Sequence, residues 1–149
     1  MTGPLLLDTG GWLNALAGEE PWAEAVEEAS ELIVPGLVLA EVDYHLRRQR
    51  SAMHRVLQDL ASGAYRYEPP TAADLGRARA LDQKFKKLDL GLVDASIAAL
   101  AERIGVVRVL TIDSDFVAMR FGPHYRLSFE LACPLPERPR PMRSVTTFS

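Results

Sequence analysis

Apolar positions fall into two patterns along the chain. Short apolar or β-branched stretches occur at 4–7, closed by Asp8, at 31–34, closed by Pro35, and at 106–111, and Tyr65–Glu68 reads as a further brief strand stopped by Pro69-Pro70. Runs of that length predict buried strands, and a last short strand is predicted at 126–129. Between them apolar residues recur at helical spacing. A short helix is expected at 11–17, after a turn at Thr9-Gly10-Gly11 and before Gly18 as a cap. Others run from Pro21 to about Ser30, from Pro35 to about Arg50, and over 51–63 with Ser51 as N-cap. Thr71-Ala72-Ala73-Asp74 has the form of a capping box and starts a helix toward Lys87. The cleanest stripe, Val93, Ile97, Leu100 and Ile104, predicts a helix over 92–104 ended by Gly105. A short helix is expected around 114–121.

Strands alternating with helices predict an α/β domain, a parallel sheet covered on both faces. Ligands of such sheets bind outside the carboxyl ends of the strands, where the strand order switches. The expected domain spans 1–133. Residues 134–149 hold four of the ten prolines and no periodic pattern, which predicts an exposed tail.

Composition adds bounds. The 149 residues suit one domain, and 48% hydrophobic with 25% charged residues is ordinary globular composition. The single cysteine, Cys133, excludes an internal disulfide, so a cytoplasmic setting is expected. No apolar run approaches a membrane span, and Leu5-Leu6-Leu7 lacks the basic lead of a signal peptide. The net charge of −3 argues against a nucleic-acid partner until it is split along the chain. Residues 1–46 carry nine acids and no Lys or Arg, so residues 47–149 carry +6. Arg47, Arg48, Arg50 and Arg55 form one basic group, with Lys86 and Lys87 in a second beside Lys84; both are candidate RNA-binding groups. Arg138, Arg140 and Arg143 on the tail are further candidates. Solvated helix faces would produce the same clusters.

Four acids stand where acids are costly. Asp8 closes the first strand run, and Asp113 follows the 106–111 run with Asp115 two residues on. Glu41 and Asp94 interrupt apolar helical stripes. Buried alone, each charge would be desolvated; gathered, they would repel one another. A divalent cation removes both penalties, and all-oxygen donors suit Mg²⁺ or Mn²⁺. Metal ions so held can activate water and clamp the oxygens of a phosphodiester. Each acid also has a structural alternative: a turn cap for Asp8, a helix-dipole partner for Asp94, an N-cap for Asp113 or Asp115, a solvent-facing position for Glu41. His45, His54 and His124 lack zinc-ligand spacing, and no Gly-rich phosphate loop precedes a helix.

Four blocks in order, Leu6-Leu7-Asp8-Thr9, Leu39-Ala40-Glu41-Val42, Leu92-Val93-Asp94-Ala95-Ser96-Ile97-Ala98-Ala99-Leu100-Ala101 and Leu110-Thr111-Ile112-Asp113-Ser114-Asp115-Phe116, resemble the PIN-domain family. The likeness is greatest to the VapC-type toxins of bacterial toxin–antitoxin pairs and covers about residues 4–131. The resemblance implies a three-layer α/β/α sandwich with a mostly parallel sheet and a Mg²⁺- or Mn²⁺-dependent endoribonuclease acting on structured RNA, tRNA or a ribosomal RNA loop. It places Asp8, Glu41, Asp94 and Asp113 on the catalytic quartet. Asp8, Asp94 and Asp113 would bind metal, Glu41 and Asp115 would assist, and Thr9 and Thr111 would steady the carboxylates. It also implies a homodimer and neutralisation by a VapB-type antitoxin. Two other classes compete. A catalytically silent PIN-like binding module would need no metal at these acids. A phosphotransfer domain with Asp8 as nucleophile fits poorly, because Gly10 stands where a second acid is needed and no Lys follows Lys87.

Overall fold

The computed structural model describes residues 2–137. Five strands form one parallel sheet: β1 (Thr2–Leu7), β2 (Ala29–Pro35), β3 (Arg66–Glu68), β4 (Arg108–Leu110) and, at the far edge, β7 (Glu130–Leu131). Their order is β3-β2-β1-β4-β7. The chain therefore steps outward from β1 through β2 to β3, then crosses back to place β4 on the other side of β1. That reversal leaves a crevice at the carboxyl ends of β1 and β4.

The helices are α1 (Thr9–Leu16), α2 (Trp22–Glu28), α3 (Gly36–His45), α4 (Arg50–Ser62), α5 (Ala72–Lys84), α6 (Gly91–Ile104) and α7 (Asp115–Ala118). They cover both faces of the sheet. Leu5, Leu6 and Leu7 are fully buried, as are Ile33, Val34, Val109 and Leu110. A strand apolar on both faces belongs in a sheet covered twice. In α6 the whole stretch from Ala95 to Ala101 is buried, not only one stripe. A helix apolar all round is a core helix. Its partner is α5, tied to it by Arg77 on Glu102 at 2.8 Å and by Arg103 on Asp74 at 3.0 Å.

Several expected boundaries move. Thr9-Gly10-Gly11 is the first turn of α1 and not a connecting turn. A Cβ on Gly11 would collide with the Leu110 carbonyl, so these glycines are there for close approach of α1 to β4. The strand expected at 31–34 begins at Ala29, shortening the helix before it, because Thr2 to Leu6 of β1 recruit Ala29 to Ile33 as parallel partners. The helix expected to reach Arg50 stops at His45, and Gln49, not Ser51, stands at the N-cap of α4. Residues 120–131 hold three short strands where one was expected. β5 (Arg120–Phe121) and β6 (Leu127–Ser128) make an antiparallel hairpin, and β7 joins the main sheet. Strands of two residues are too short to show a period.

The capping box is present as read: the Thr71 hydroxyl accepts from the Asp74 N–H and the Asp74 carboxylate from the Thr71 N–H, both at 3.0 Å. Thr71→Ala is expected to cost about 1 kcal/mol, roughly 3 °C in melting temperature for a domain of this size. Thermal denaturation followed by circular dichroism checks it.

No described helix is long and apolar enough to cross a membrane. Of the expected tail, residues 138–149, with Arg138, Arg140 and Arg143, lie outside the described part.

Candidate active site

Asp8 follows the last residue of β1 and stands at the N-cap of α1, yet its side chain makes no capping bond to that helix. The carboxylate instead accepts a hydrogen bond from the Thr111 hydroxyl at 2.7 Å. Thr111 follows β4, the neighbouring strand, and the Asp8 N–H donates to the Leu110 carbonyl at 3.0 Å. The two strand ends are thereby locked in register. The Thr111 hydroxyl also accepts from the Asp113 N–H at 3.0 Å. One buried threonine thus orients acids from both strands.

Asp94 arrives from the first turn of α6. Asp115 opens α7, and its N–H donates to the Asp113 carboxylate at 2.9 Å. Ser114, not Asp113 or Asp115, stands at the N-cap of α7, and this bond ties one Asp113 oxygen to the first residue of the helix. Asp94, Asp113 and Asp115 each offer an oxygen such that all three lie within 4.8 Å of one another. Glu41 comes from the middle of α3. It is exposed and not desolvated, but it is held: the Thr9 hydroxyl donates to it at 2.5 Å. Of the sequence-selected acids, Asp94 and Asp113 are joined most closely by Asp115, which the sequence had given only an assisting place. Its spacing from Asp113, one residue apart at a strand end, is the signal that marks it.

The charges are costly as they stand. Asp8, only 6% exposed, has its carboxyl pushed up to about 7, mainly by burial and further by Asp113 and Glu41. Hydrogen bonds from the Thr111 hydroxyl and the Thr9 N–H pull the other way. Asp94 is pushed up to about 9 by burial first, then by Asp8, Asp113, Asp115 and Glu41. Burial and Asp113 also raise Asp115, with a smaller push from Asp89. Five carboxylates converge here without a cationic side chain among those influences.

Such a donor set fits a hard divalent cation. Oxygens bound to Mg²⁺ at 2.0–2.1 Å lie at most about 4.2 Å apart across the ion, so the triple needs only small side-chain rotations to close on one. Among the described residues, no His or Cys joins a close acidic group, which speaks against a zinc-type site.

The family model described as "PIN domain" matches residues 5–122, which contain every one of these acids. Ribonuclease VapC26 of Mycobacterium tuberculosis is 32% identical over 124 residues, 78% of this chain and 92% of that protein. The chain belongs to the PIN-domain family and is of the VapC type.

Solved VapC structures share the fold of this PIN domain. M. tuberculosis VapC20, a sarcin–ricin-loop-cleaving toxin, superposes with a TM-score of 0.66 at 22% identity, covering 76% of this chain and 93% of that one. VapBC2 from Rickettsia felis, crystallised with a DNA fragment from its promoter, gives 0.63 at 16% identity, covering 86% and 98%. The α/β sandwich expected from the sequence is the PIN fold.

The basic candidates lie apart in character. Arg47 stacks over the Tyr44 ring at 4.6 Å, Arg50 pairs with Asp43 at 2.9 Å, and Arg55 pairs with Asp59 at 3.3 Å. Arg48 is exposed. Lys86 and Lys87 occupy a 3-10 turn over Lys86–Leu88, and among the described residues neither enters an ion pair.

Proposed function

We propose that this chain is an endoribonuclease toxin dependent on Mg²⁺ or Mn²⁺, with Asp8, Glu41, Asp94 and Asp113 as its catalytic carboxylates and Asp115 beside them. The observation that carries the reading is the convergence of these carboxylates at the switch between β1 and β4, on a chain whose curated relative is named a ribonuclease.

Asp94 and Asp113, with Asp8 behind them, would hold one or two ions, and Asp115 is placed to add a further oxygen. Bound there, a divalent ion lowers the pKa of water and neutralises charge on the phosphodiester oxygens. The protein's own part is orientation. Thr111 fixes the Asp8 oxygen facing it, so the other is left for the site. Thr9 holds Glu41 facing Asp8, where its carboxylate can accept a proton from an attacking water or orient it.

The biological setting follows the same relatives. A VapB-type antitoxin would neutralise the enzyme, as the paired composition of VapBC2 suggests, and the toxin would act as a homodimer on a structured RNA, a tRNA or a ribosomal loop.

The purified chain, freed of any co-purifying antitoxin, is expected to cut total RNA with Mg²⁺ or Mn²⁺, to stop in excess EDTA, and to resume when metal is returned. Cutting that persists in EDTA would end the metal proposal. No cutting with any divalent ion would instead favour a silent binding module.

A further inference from the structure

A cleft of about 580 Å³ has Lys84, Phe85, Lys86, Lys87, Leu88 and Ala118 among its walls. Two features place it near the site. Ala118 belongs to α7, whose first residue is Asp115, less than one helical turn, about 5 Å, away. Asp89, next along the chain from Leu88, lies near enough to Asp115 for the two carboxylates to repel each other.

The chemistry of the cleft is that of a single-strand groove. Three ammonium groups stand within four consecutive residues, flanked by Asp82 and Asp89. Asp82 is occupied by the Gly91 N–H at 3.2 Å. Lys84 lies over the Tyr125 ring at 5.0 Å, and Phe85 meets the same ring edge-on at 6.2 Å. Phe85 is half-buried, so it is held in place while its free part faces the cleft. Lysines that track phosphates beside an aromatic ring that stacks a base make up the usual single-strand surface. The arginines at positions 47, 48, 50 and 55 differ. Asp43 and Asp59 already sit on Arg50 and Arg55, which halves the charge that face offers to phosphate.

We propose that the RNA strand next to the cut phosphate runs through the Lys84–Leu88 cleft, with Lys86 and Lys87 on its phosphates, and not along the arginine face of α4. This rests on the ribonuclease reading and names the substrate path for that site.

The test compares Lys86→Ala/Lys87→Ala with Arg50→Ala/Arg55→Ala in the full chain. A fluorescein-labelled single-stranded RNA of about 12 nucleotides, within the usual site sizes, is bound in EDTA so that nothing is cut. All proteins carry the same acids, so repulsion from the metal-free site cancels in the comparison. The lysine pair is expected to weaken binding about tenfold and to flatten the slope of log K against log salt by about 1.4, at roughly 0.7 per phosphate contact. The arginine pair is expected to weaken it less than threefold. With Mg²⁺ present, the lysine variant should raise KM for RNA cleavage with little change in kcat. Exposed lysines without ion pairs should leave the melting temperature unchanged, which separates lost contact from misfolding. An equal or larger loss from the arginine pair overturns the path while leaving the nuclease reading intact. Wild-type protein that neither binds nor cuts RNA overturns both.

Discussion

Asp8→Asn is expected to abolish metal-dependent RNA cleavage and, at the same time, to stabilise the metal-free protein. The loss of activity follows from removing a buried carboxylate that backs the acidic group. Metal-assisted transition-state stabilisation amounts to several kcal/mol, so the rate should fall about a thousandfold. The gain in stability follows from the same charge. Burial, with a smaller push from Asp113 and Glu41, raises the pKa of Asp8 to about 7, so at pH 8 it is ionised at a cost. Asparagine keeps an acceptor for the Thr111 hydroxyl and removes the charge. A gain of about 2 kcal/mol, roughly 5 °C, is expected in EDTA at pH 8. Adding Mn²⁺ should raise the melting temperature of the wild type and move that of the variant far less, because binding to the folded state alone stabilises it. If the variant melts lower than the wild type in EDTA, Asp8 is a structural hydrogen-bonding residue first, and the silent-module reading gains.

This opposition between stability and activity explains why much of the candidate site was legible in the sequence. An acid in the apolar pattern Leu5-Leu6-Leu7-Asp8, and another inside the longest buried helix, break local rules that the rest of the chain keeps. Such breaks mark function because the fold must tolerate their cost. Asp115 was harder to place. It opens a four-residue helix whose position depends on the short β4 and on Thr111, and neither strand length nor that turn has a periodic signature. Glu41 was legible for a partly different reason from the one that made it conspicuous: it interrupts an apolar stripe, but α3 turns it outward, and the Thr9 hydroxyl returns it to the site. The sheet order was legible only as a class. Alternating strands and helices implied parallel pairing, whereas the small strands at 120–131 depend on contacts distant in sequence. The lysine cluster was visible as charge; its cleft was not, since Ala118 comes from an element more than thirty residues away.

The second large effect concerns a residue with no side chain. Alanine for glycine in a helix ordinarily stabilises by about 0.5–1 kcal/mol, and Gly76→Ala in α5 is expected to do so, since a Cβ there meets nothing within 4 Å. Gly11→Ala, also within a helix, is expected to do the reverse. Its Cβ would run into the Leu110 carbonyl and close on the Thr111 N–H, both backbone groups that cannot rotate away. Overpacking of this kind costs about 3 kcal/mol, or roughly 6–10 °C here. Moving α1 off β4 has a further consequence. Asp8 and Thr9 travel with α1, whereas Thr111 and Asp113 stay with β4, so the acids of the two strands separate. A displacement of about 1 Å in a catalytic group costs on the order of a hundredfold in rate. Gly11→Ala should therefore lose both stability and Mn²⁺-dependent cleavage, measured well below its melting temperature so that unfolding does not contribute. Full activity in a destabilised Gly11→Ala protein would mean that the α1–β4 contact supports the fold without setting the spacing of the acids.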